Sequence, residues 1–435
     1  MQEQYFMKKF QTFALTFEKL FLNLSQASRL GVSWLVITNH IMNNLRKSIS
    51  LMAAVTMIAA CANTGKKDII GENIQNAEVQ LSALCEESQK DDTLRIPQKY
   101  QNGKVDFVSI YDWVSGFPAG EFWYMYDLTK DEKWADEATK FTEVLAPVQF
   151  YTGNHDVGFM INDSYGLGLK YKNREEYVPV IINTAKSLIT RYKPNAKIIQ
   201  SWNANPKKGW VCPVIIDNMM NLELLFNATE LSGDSTYYRI AVEHAETTMK
   251  NHFRNDYSTW HVVDYDPETG AVRGKYTAQG YSDESAWARG QAWGLYGYTA
   301  AYRHTHIQKF LDQAEKIENF IFTNKNMPED LVPYWDYDCP DIPNTPRDAS
   351  SASIMASALY DLYSITGKED YLKKADKIIE SLSSPAYRAE HGTNGGFILM
   401  HSVTSFPANA GVDVPLNYAD YYFLEALIRN RDLKK

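Results

Sequence analysis

The chain has 435 residues, a formal net charge of −9 and 45% apolar residues. This size and apolar content can build a sizeable core in one large domain or two ordinary ones, and the acidic balance without a basic run argues against nucleic-acid binding. Aromatic residues make up 13%, with 28 Tyr and 10 Trp. That content is typical of enzymes that hold sugars, and equally of large helical proteins that pack many rings.

The first element in chain order is an apolar segment that ends in a cysteine. Asn43–Cys61 reads NNLRKSISLMAAVTMIAAC, with Arg46 and Lys47 ahead of the apolar run. This order is typical of a bacterial lipoprotein signal, whose cleavage leaves the cysteine as the lipidated first residue, and the run is too short to span a bilayer. Because Ala62 follows, we predict a periplasmic protein anchored in the outer membrane of a Gram-negative bacterium through Cys61 alone.

The basic start of this signal lies directly after Met42, where we expect translation to begin. We therefore assign residues 1–60 to an N-terminal extension and signal peptide, and residues 61–435 to a single catalytic domain. The remaining cysteines, which show no spacing that suggests a zinc site, are Cys85, Cys212 and Cys339.

Past Cys61 one helical unit recurs. An aromatic helix with small residues is followed by a short polar turn and a charged helix that starts with Tyr or Trp. The copies are Tyr126–Leu145, Ala228–Met249 and Tyr363–Leu382, with weaker ones at Leu169–Ile189 and Ala301–Ile321. Each turn is expected to join two antiparallel helices. The first kind of helix fits an inner layer, and the second fits an outer layer with one wet face.

These units predict an all-α fold of about twelve helices. We expect the helices to begin near Ile74, Ser109, Glu132, Val157, Arg174, Pro213, Ser235, Glu284, Ile307, Ser350, Asp370 and Pro415. Six hairpins would close into an (α/α)6 barrel, with the last helix pairing with the first. The alternative is an open α-solenoid. Uneven spacing and long aromatic insertions favour the closed barrel with loops at one end.

Two aspartates stand at the starts of predicted inner helices. Asp156 lies in GNHDVGFMINDSYG, and Asp217 in CPVIIDNMMNLELLF, among Ile, Met, Leu and Phe. Desolvation by such neighbours raises the pKa of a carboxyl group, as a general acid near neutral pH requires. The alternatives are an N-cap for Asp156 and a charge that favours the helix dipole for Asp217.

Further candidate site residues follow in later motifs. Trp202 lies in SWNANPKKGW and His261 in TWHVVDYD, although a lone histidine is more often structural than catalytic. The stretch TAQGYSDESAWARGQAW carries Gln279, Arg289 and Trp293, and the last two share a helix face. A buried arginine needs a carboxylate partner, so the alternative for Arg289 is an internal salt bridge.

The helix that carries Arg289 is built from poor helix formers. Gly290, Gly294 and Gly297 each cost about 1 kcal/mol relative to alanine in a helix interior. We expect these small residues to let the helix pack closely inside the ring, so that its first turns direct Arg289 and Trp293 into a cavity.

Five of these motifs occur in order and at matching intervals: NHDVGF, SWN, IIDNMMN, TWHVVDYD and QGYSDESAWARGQAW. Together they resemble glycoside hydrolase family 88, the unsaturated glucuronyl hydrolases, from roughly Asp106 to the C-terminus. The resemblance implies an (α/α)6 barrel without a cofactor. The implied substrates are short oligosaccharides left by polysaccharide lyases, with a 4,5-unsaturated uronic acid at the non-reducing end.

The resemblance also implies roles for single residues. Asp217 is expected to be the acid/base, and Asp156 the second catalytic carboxylate. The positions that match the sugar site are Trp113 in DWVSGFPAGEFW, Trp202, His261, Gln279, Arg289, Trp293 and, in the less similar stretch SPAYRAEHG, Tyr387. Arg289 and Gln279 are expected to hold the uronate carboxylate while the Trp faces stack on the rings.

Three other functions stay open at this point. Unsaturated rhamnogalacturonyl hydrolases share the barrel and the chemistry but act on pectin fragments. A sugar epimerase would need two catalytic histidines, for which His155 and His261 are the candidates. A non-catalytic glycan-binding lipoprotein gives no reason for Asp217 in an apolar helix. Some members of the resembled family bind a sulfate on the second sugar with Ser and Lys side chains near the C-terminus. The corresponding stretch FPANAGVDVPLNYADYYF has no obvious pair of this kind, so the sequence does not identify the parent polysaccharide.

Overall fold

The computed structural model describes residues 68–90 and 93–434 of the chain. The part from Ile69 onward forms one unit. Within the described ranges, no helix combines the length and the apolar character that a membrane crossing requires. The predicted signal with Cys61, and the expected start at Met42, lie outside the described residues.

The helices of this unit form two layers. The outer layer consists of α1 (Ile69–Ser88), α3 (Glu132–Glu143), α6 (Val178–Ile189), α8 (Ser235–Asn251), α10 (Gln308–Thr323) and α12 (Glu369–Leu382). The inner layer consists of α2 (Phe117–Thr129), α4 (Val157–Ile161), α5 (Leu167–Lys172), α7 (Asn218–Ser232), α9 (Ala288–Thr305), α11 (Ala349–Thr366) and α13 (Asn417–Asp432). A π turn at Asn162–Gly166 joins α4 and α5 into one continuous inner helix.

The inner helices form a closed ring. Following the chain, α2, the α4–α5 helix, α7, α9, α11 and α13 each pack on the next, and α13 packs back on α2. The predicted (α/α)6 barrel is therefore confirmed. We expected closure between the last helix and the first, whereas it occurs between α13 and α2. Helix α1 packs outside α2, and its Asn76 and Gln80 donate hydrogen bonds to the carbonyls of Ala389 and Phe397.

Burial explains the two kinds of helix. In α9 every residue from Ala288 to Ala301 is buried, and in α11 every residue from Ala349 to Leu362. The outer α12 buries one stripe and exposes most of its Lys and Glu side chains. A helix apolar all round belongs inside a protein, and one with a single apolar stripe belongs at its surface.

Short turns join each inner helix to the following outer helix. In the five predicted hairpins the residue after the inner helix is left-handed: Lys130 (φ 59°), Asn173 (49°), Gly233 (73°), His306 (53°) and Gly367 (67°). This conformation ends a helix and satisfies its last carbonyls. The recurring unit of the sequence therefore corresponds to a helical hairpin whose turn has the same geometry in all five copies.

The connections at the other end of the barrel are long and carry four small antiparallel sheets. These pair β1 (Ile96–Gln101) with β2 (Lys104–Val108), β3 (Tyr192–Lys193) with β4 (Ile198–Ile199), and β8 (Ser402–Ser405) with β9 (Ala410–Val414). The remaining sheet has the order β5 (Pro213–Ile215), β6 (Val262–Tyr265), β7 (Val272–Tyr276). The loops lie at one end, as expected.

The strands correct two predicted helix starts. No helix begins at Pro213, because Pro213–Ile215 pairs with Val262–Asp264 and α7 starts only at Asn218. Likewise the chain after β2 makes turns, and α2 starts at Phe117 instead of Ser109. Apolar runs this short do not distinguish a buried strand from the first turn of a helix.

The glycines of α9 differ in how much space they have, which gives a test of the packing. A Cβ at Gly297 would lie 2.5 Å from Met219 Cβ on α7, whereas one at Gly294 would have its nearest contact at 3.5 Å, to Ile317. We expect Gly297→Ala to destabilise the fold by about 1–3 kcal/mol through overpacking. Gly294→Ala should stabilise it by up to about 1 kcal/mol. Thermal unfolding of both variants checks this, and equal effects would contradict it.

Candidate active site

The candidate site lies at the loop-bearing end, where the inner helices begin. Asp156 and Asp217 directly precede α4 and α7, Arg289 lies in the first turn of α9, and Trp113 lies shortly before α2. Because the short turns connect all inner helices in the same sense, their N-termini meet at this end of the ring. Residues that are far apart in the chain are thereby brought together.

Asp217 lies between a strand and a helix. β5 ends at Ile215, the amide of Ile216 donates to the carbonyl of His261 at 3.1 Å, and α7 begins at Asn218. Asp217 is only 8% exposed, and burial raises the pKa of Asp217 to about 7 against the opposing charge of Arg289. Its side chain makes no capping bond. The carboxyl is therefore poised to donate a proton near neutral pH.

His261 lies beside this carboxyl group as a neutral imidazole. Its Nδ1 accepts hydrogen bonds from the amides of Ala278 (3.1 Å) and Gln279 (3.2 Å), so the ring proton resides on Nε2. Burial and the charge of Arg289 hold the pKa of His261 well below its usual range. Nε2 lies 3.7 Å from Asp217 Oδ2. Within the described residues both atoms are buried without a hydrogen-bond partner.

Asp156 is the second buried carboxyl group. It is 8% exposed and does not cap α4, which removes the N-cap alternative. Burial, with Asp217 and Asp112 nearby, raises the pKa of Asp156 well above its ordinary value. His155 Nε2 lies 3.2 Å from Asp156 Oδ1, and burial lowers the pKa of His155 to about 3, so this neighbour is uncharged and does not stabilise a carboxylate as a cation would.

Arg289 is already held by protein groups. It is 1% exposed, and Nη1 lies 3.1 Å from Asp348 Oδ2. It also donates to the carbonyls of Val403 and, at 2.6 Å, Thr404. The structure therefore has the salt bridge that was the alternative for this residue. Its charge still acts on the site, because it opposes the rise in the pKa of Asp217.

Gln279 shares an acceptor with Arg289. Its side-chain Nε2 donates to the carbonyl of Thr404 at 2.9 Å, and its backbone N–H donates to His261 Nδ1. Both of the side chains expected to hold the uronate carboxylate thus contact β8. Binding of a substrate carboxylate by these two residues stays a prediction.

Aromatic rings line the approach to the carboxyl groups. The Trp202 ring stacks on Trp210 with centroids 6.0 Å apart and meets His261 edge-on at 5.9 Å. Trp113 packs on Tyr418 at 4.8 Å. Trp293 was expected to face a cavity, but it is fully buried against Phe159 and Tyr422, with its indole N–H beside Asp217. Trp113 and Trp202 are half-buried, so part of each side chain stays accessible to a ligand such as a sugar ring.

Tyr387 is placed differently. Its hydroxyl donates to Asp330 Oδ2 at 2.8 Å, and its ring lies 6.2 Å from that of His401. Its described contacts thus lie in a separate group of side chains, not among the residues around Asp217.

The structure adds residues that the sequence did not single out. Asn221 lies one helical turn after Asp217, beside the Asp156 carboxyl, and the i, i+4 spacing in IIDNMMN could have indicated it. Asp348, the partner of Arg289, caps α11, and Tyr418, the partner of Trp113, lies in the first turn of α13. No local pattern marks them, because they meet the site only through the ring.

This arrangement suits proton transfer to a bound sugar. Two carboxyl groups with raised pKa values stand beside neutral histidines, aromatic faces and a fixed cation. Among residues 68–90 and 93–434, no group of three or more His, Cys, Asp or Glu side chains is placed to hold a metal ion.

Comparisons with known proteins identify the family and the fold. The chain is 48% identical to an unsaturated glucuronyl hydrolase of Formosa agariphila over 323 residues, 74% of this chain and 80% of the relative. The crystal structure of an unsaturated glucuronyl hydrolase specific for heparin is 42% identical. It superposes with a TM-score of 0.81 over 84% of this chain and 98% of the other.

A second solved structure contains a ligand. It is an Asp-to-Asn variant of the unsaturated glucuronyl hydrolase of Streptococcus agalactiae complexed with dGlcA-GalNAc6S. It is 28% identical, with a TM-score of 0.70 over 83% of this chain and 91% of the other. A scan against protein-family models gave no match. From its 48% identity to a relative of which it covers 80%, and from the shared barrel, the chain belongs to the unsaturated glucuronyl hydrolases, which are glycoside hydrolases.

Proposed function

We propose that this enzyme removes the 4,5-unsaturated uronic acid from the non-reducing end of lyase-generated, glycosaminoglycan-type oligosaccharides by hydrating the C4=C5 bond. The observation that carries the proposal is the buried Asp217, whose pKa is raised to about 7. The heparin-specific relative and the relative complexed with dGlcA-GalNAc6S support the substrate class.

The first step is protonation of a vinyl ether. The Asp217 carboxyl transfers its proton to C4, and positive charge develops at C5 and the ring oxygen. An ordinary glycosidase would instead generate an oxocarbenium ion at C1 between two carboxyl groups in set geometry. A single acid suffices for hydration, so the bond to the next sugar is not protonated in this step.

The second step adds water. The Asp217 carboxylate, now basic, takes a proton from a water molecule whose oxygen bonds to C5, which regenerates the acid. The resulting hemiketal opens and expels the neighbouring sugar. His261 Nε2 lies 3.7 Å from Asp217 Oδ2, close enough for its N–H to stabilise the carboxylate that forms between the two steps if the two groups approach further.

Asp156 is assigned to the ring hydroxyl groups. Burial and nearby carboxyl groups keep its pKa well above the ordinary value, so it is able to donate as well as accept a hydrogen bond. Trp113 and Trp202 are half-buried, and their rings are assigned to stacking on the sugars.

The pH dependence follows from the acid. Asp217 must enter the reaction protonated, and its pKa is about 7. We expect kcat/KM to fall tenfold for each pH unit above about pH 7. Initial rates across pH 5–9, followed by the absorbance of the C4=C5 bond, check this. A profile that stays level up to pH 9 would contradict the assignment of Asp217.

A panel of unsaturated disaccharides tests the proposed function. The purified protein is offered lyase products of heparin, chondroitin, hyaluronan and pectin, and loss of ultraviolet absorbance reports consumption of the double bond. The ranking of the glycosaminoglycan products then names the polysaccharide. Reaction of the pectin fragments alone would overturn the proposal in favour of a rhamnogalacturonyl hydrolase. If none of the products reacted, the proposed hydration of the C4=C5 bond would be wrong.

We also propose that Cys61 carries a lipid that anchors the enzyme to the outer membrane, facing the periplasm. The support is the order of basic residues, apolar run and cysteine in Asn43–Cys61. Cells expressing the full chain should incorporate labelled palmitate into it, and Cys61→Ser should lose the label. Equal labelling of both would overturn this proposal.

A further inference from the structure

A cavity of about 640 Å³ lies at the end of the barrel opposite the active site. Most of its lining residues lie on the inner helices, from Tyr124 on α2 to Asp432 on α13, and they include neither Asp156 nor Asp217. Its rim contains the exposed Lys170 and Glu230, so the cavity opens to solvent. Its size suits a molecule as large as a small sugar.

The walls of this cavity carry an excess of negative charge. Its acidic side chains are Asp163, Glu223, Glu230, Asp361, Glu425 and Asp432. Its cationic side chains are Lys170, Arg303 and Arg429. An anion the size of a uronic acid would meet a net repulsive wall.

The two arginines are committed to three of the carboxylates. Arg303 pairs with Glu223 and Asp361, and Arg429 pairs with Glu425 at 3.2 Å and Asp361 at 3.4 Å. These pairs form one connected network. Asp163 is not part of it.

Asp163 is the buried acid left over. It is 7% exposed, lines the cavity, and its Oδ2 has no hydrogen-bond partner among the described residues. Burial, together with the charges of Glu425 and Glu223, raises the pKa of Asp163 well above its ordinary value, because both arginines pair with other carboxylates. It lies in the π turn Asn162–Gly166, a distortion that is frequent at functional sites.

Tyrosines complete the walls. Tyr124, Tyr171, Tyr296, Tyr421 and Tyr422 all line the cavity, and the hydroxyl of Tyr171 is buried without a partner in the described part of the chain. Ring faces attract cations, and free hydroxyl groups bind polyols. We propose that this cavity is a second ligand site, which takes a small organic cation bearing hydroxyl groups, of the chemical class of a protonated amino sugar.

Calorimetric titration of the whole protein with three probes of similar size tests the proposal. Glucosamine is a cation, N-acetylglucosamine is neutral and glucuronate is an anion. We expect saturable binding of glucosamine at millimolar concentrations or below. The other two probes should bind at least tenfold more weakly, because loss of one charge-assisted hydrogen bond lowers affinity by about that factor. Glucosamine should leave the KM of the unsaturated disaccharide unchanged, because the two sites lie at opposite ends of the barrel.

Variants locate the binding. Asp163→Asn is expected to weaken glucosamine binding about tenfold or more while kcat/KM on the disaccharide is retained. Asp136→Asn, on the exposed face of α3, is the control and should change neither. No heat of binding from glucosamine up to about 10 mM, or equal binding of all three probes, would overturn the proposal even if Asp163→Asn fails to fold. Unchanged glucosamine affinity in folded Asp163→Asn would also overturn it.

Discussion

Asp217→Asn is expected to lower kcat by about 10³-fold while the substrate still binds, since losing a general acid costs 10²–10⁴-fold. The amide keeps the shape of the carboxyl group but has no proton to give to C4 and cannot deprotonate water. Absorbance assays give kcat, and calorimetry with an unsaturated disaccharide gives the affinity. Asp234→Asn, at the exposed cap of α8, is the control and should retain full activity.

The same variant is expected to be more stable than the parent. The folded pKa of Asp217 is raised from 3.8 to about 7, so the folded state binds this proton more tightly than the unfolded chain does. The parent therefore loses stability as the pH rises from about 4 to 7, by roughly 4 kcal/mol at most. Asp217→Asn escapes this loss, and its advantage in melting temperature should be larger at pH 8 than at pH 5. A smaller advantage at pH 8 would refute the buried-acid account.

Arg289→Ala is expected to cost about 3–5 kcal/mol of folding free energy, because it leaves the buried Asp348 without its cation. The pair is 1% and 0% exposed in its side chains, so water cannot replace the guanidinium. Loss of the positive charge should also raise the pKa of Asp217 further. The fall of kcat/KM with rising pH should then begin at a higher pH. Denaturant unfolding and the pH–rate profile measure the two effects.

Two comparisons make this result specific. Arg239→Ala removes an exposed pair with Glu243 on α8 and should change stability by less than about 1 kcal/mol. Combining Arg289→Ala with Asp348→Ala should recover part of the loss, because no unpaired charge remains. If Arg289→Ala raised KM alone and left stability intact, direct binding of the uronate carboxylate would be its main role.

The helical layers could be predicted because they depend on local patterns. The turn after α2, with Lys130 and Asp131, repeats in form at Gly233 and Asp234 and at Gly367 and Lys368. The helices on either side differ visibly in charge. Asp217 could be found the same way, since an acid that begins an apolar helix is a local feature.

The partners of the site residues could not be predicted locally. Arg289 meets Asp348, 59 positions along the chain, and Thr404, 115 positions along it. Whether a buried arginine faces a ligand or a neighbouring helix depends on ring closure. Strand β5 was missed for a related reason, since Pro213–Ile215 is extended only because Val262–Asp264 lies beside it.

The carbonyl oxygen of Thr404 accepts hydrogen bonds from both Arg289 and Gln279. Any amino acid supplies the same oxygen, so the contact does not depend on which side chain occupies position 404. Related sequences are thus free to vary at this position without disturbing the charge beside Asp217. What relatives must keep is the path of the β8 backbone, and therefore the length of the β8–β9 hairpin. A comparison of residue types at position 404 alone would not detect this requirement.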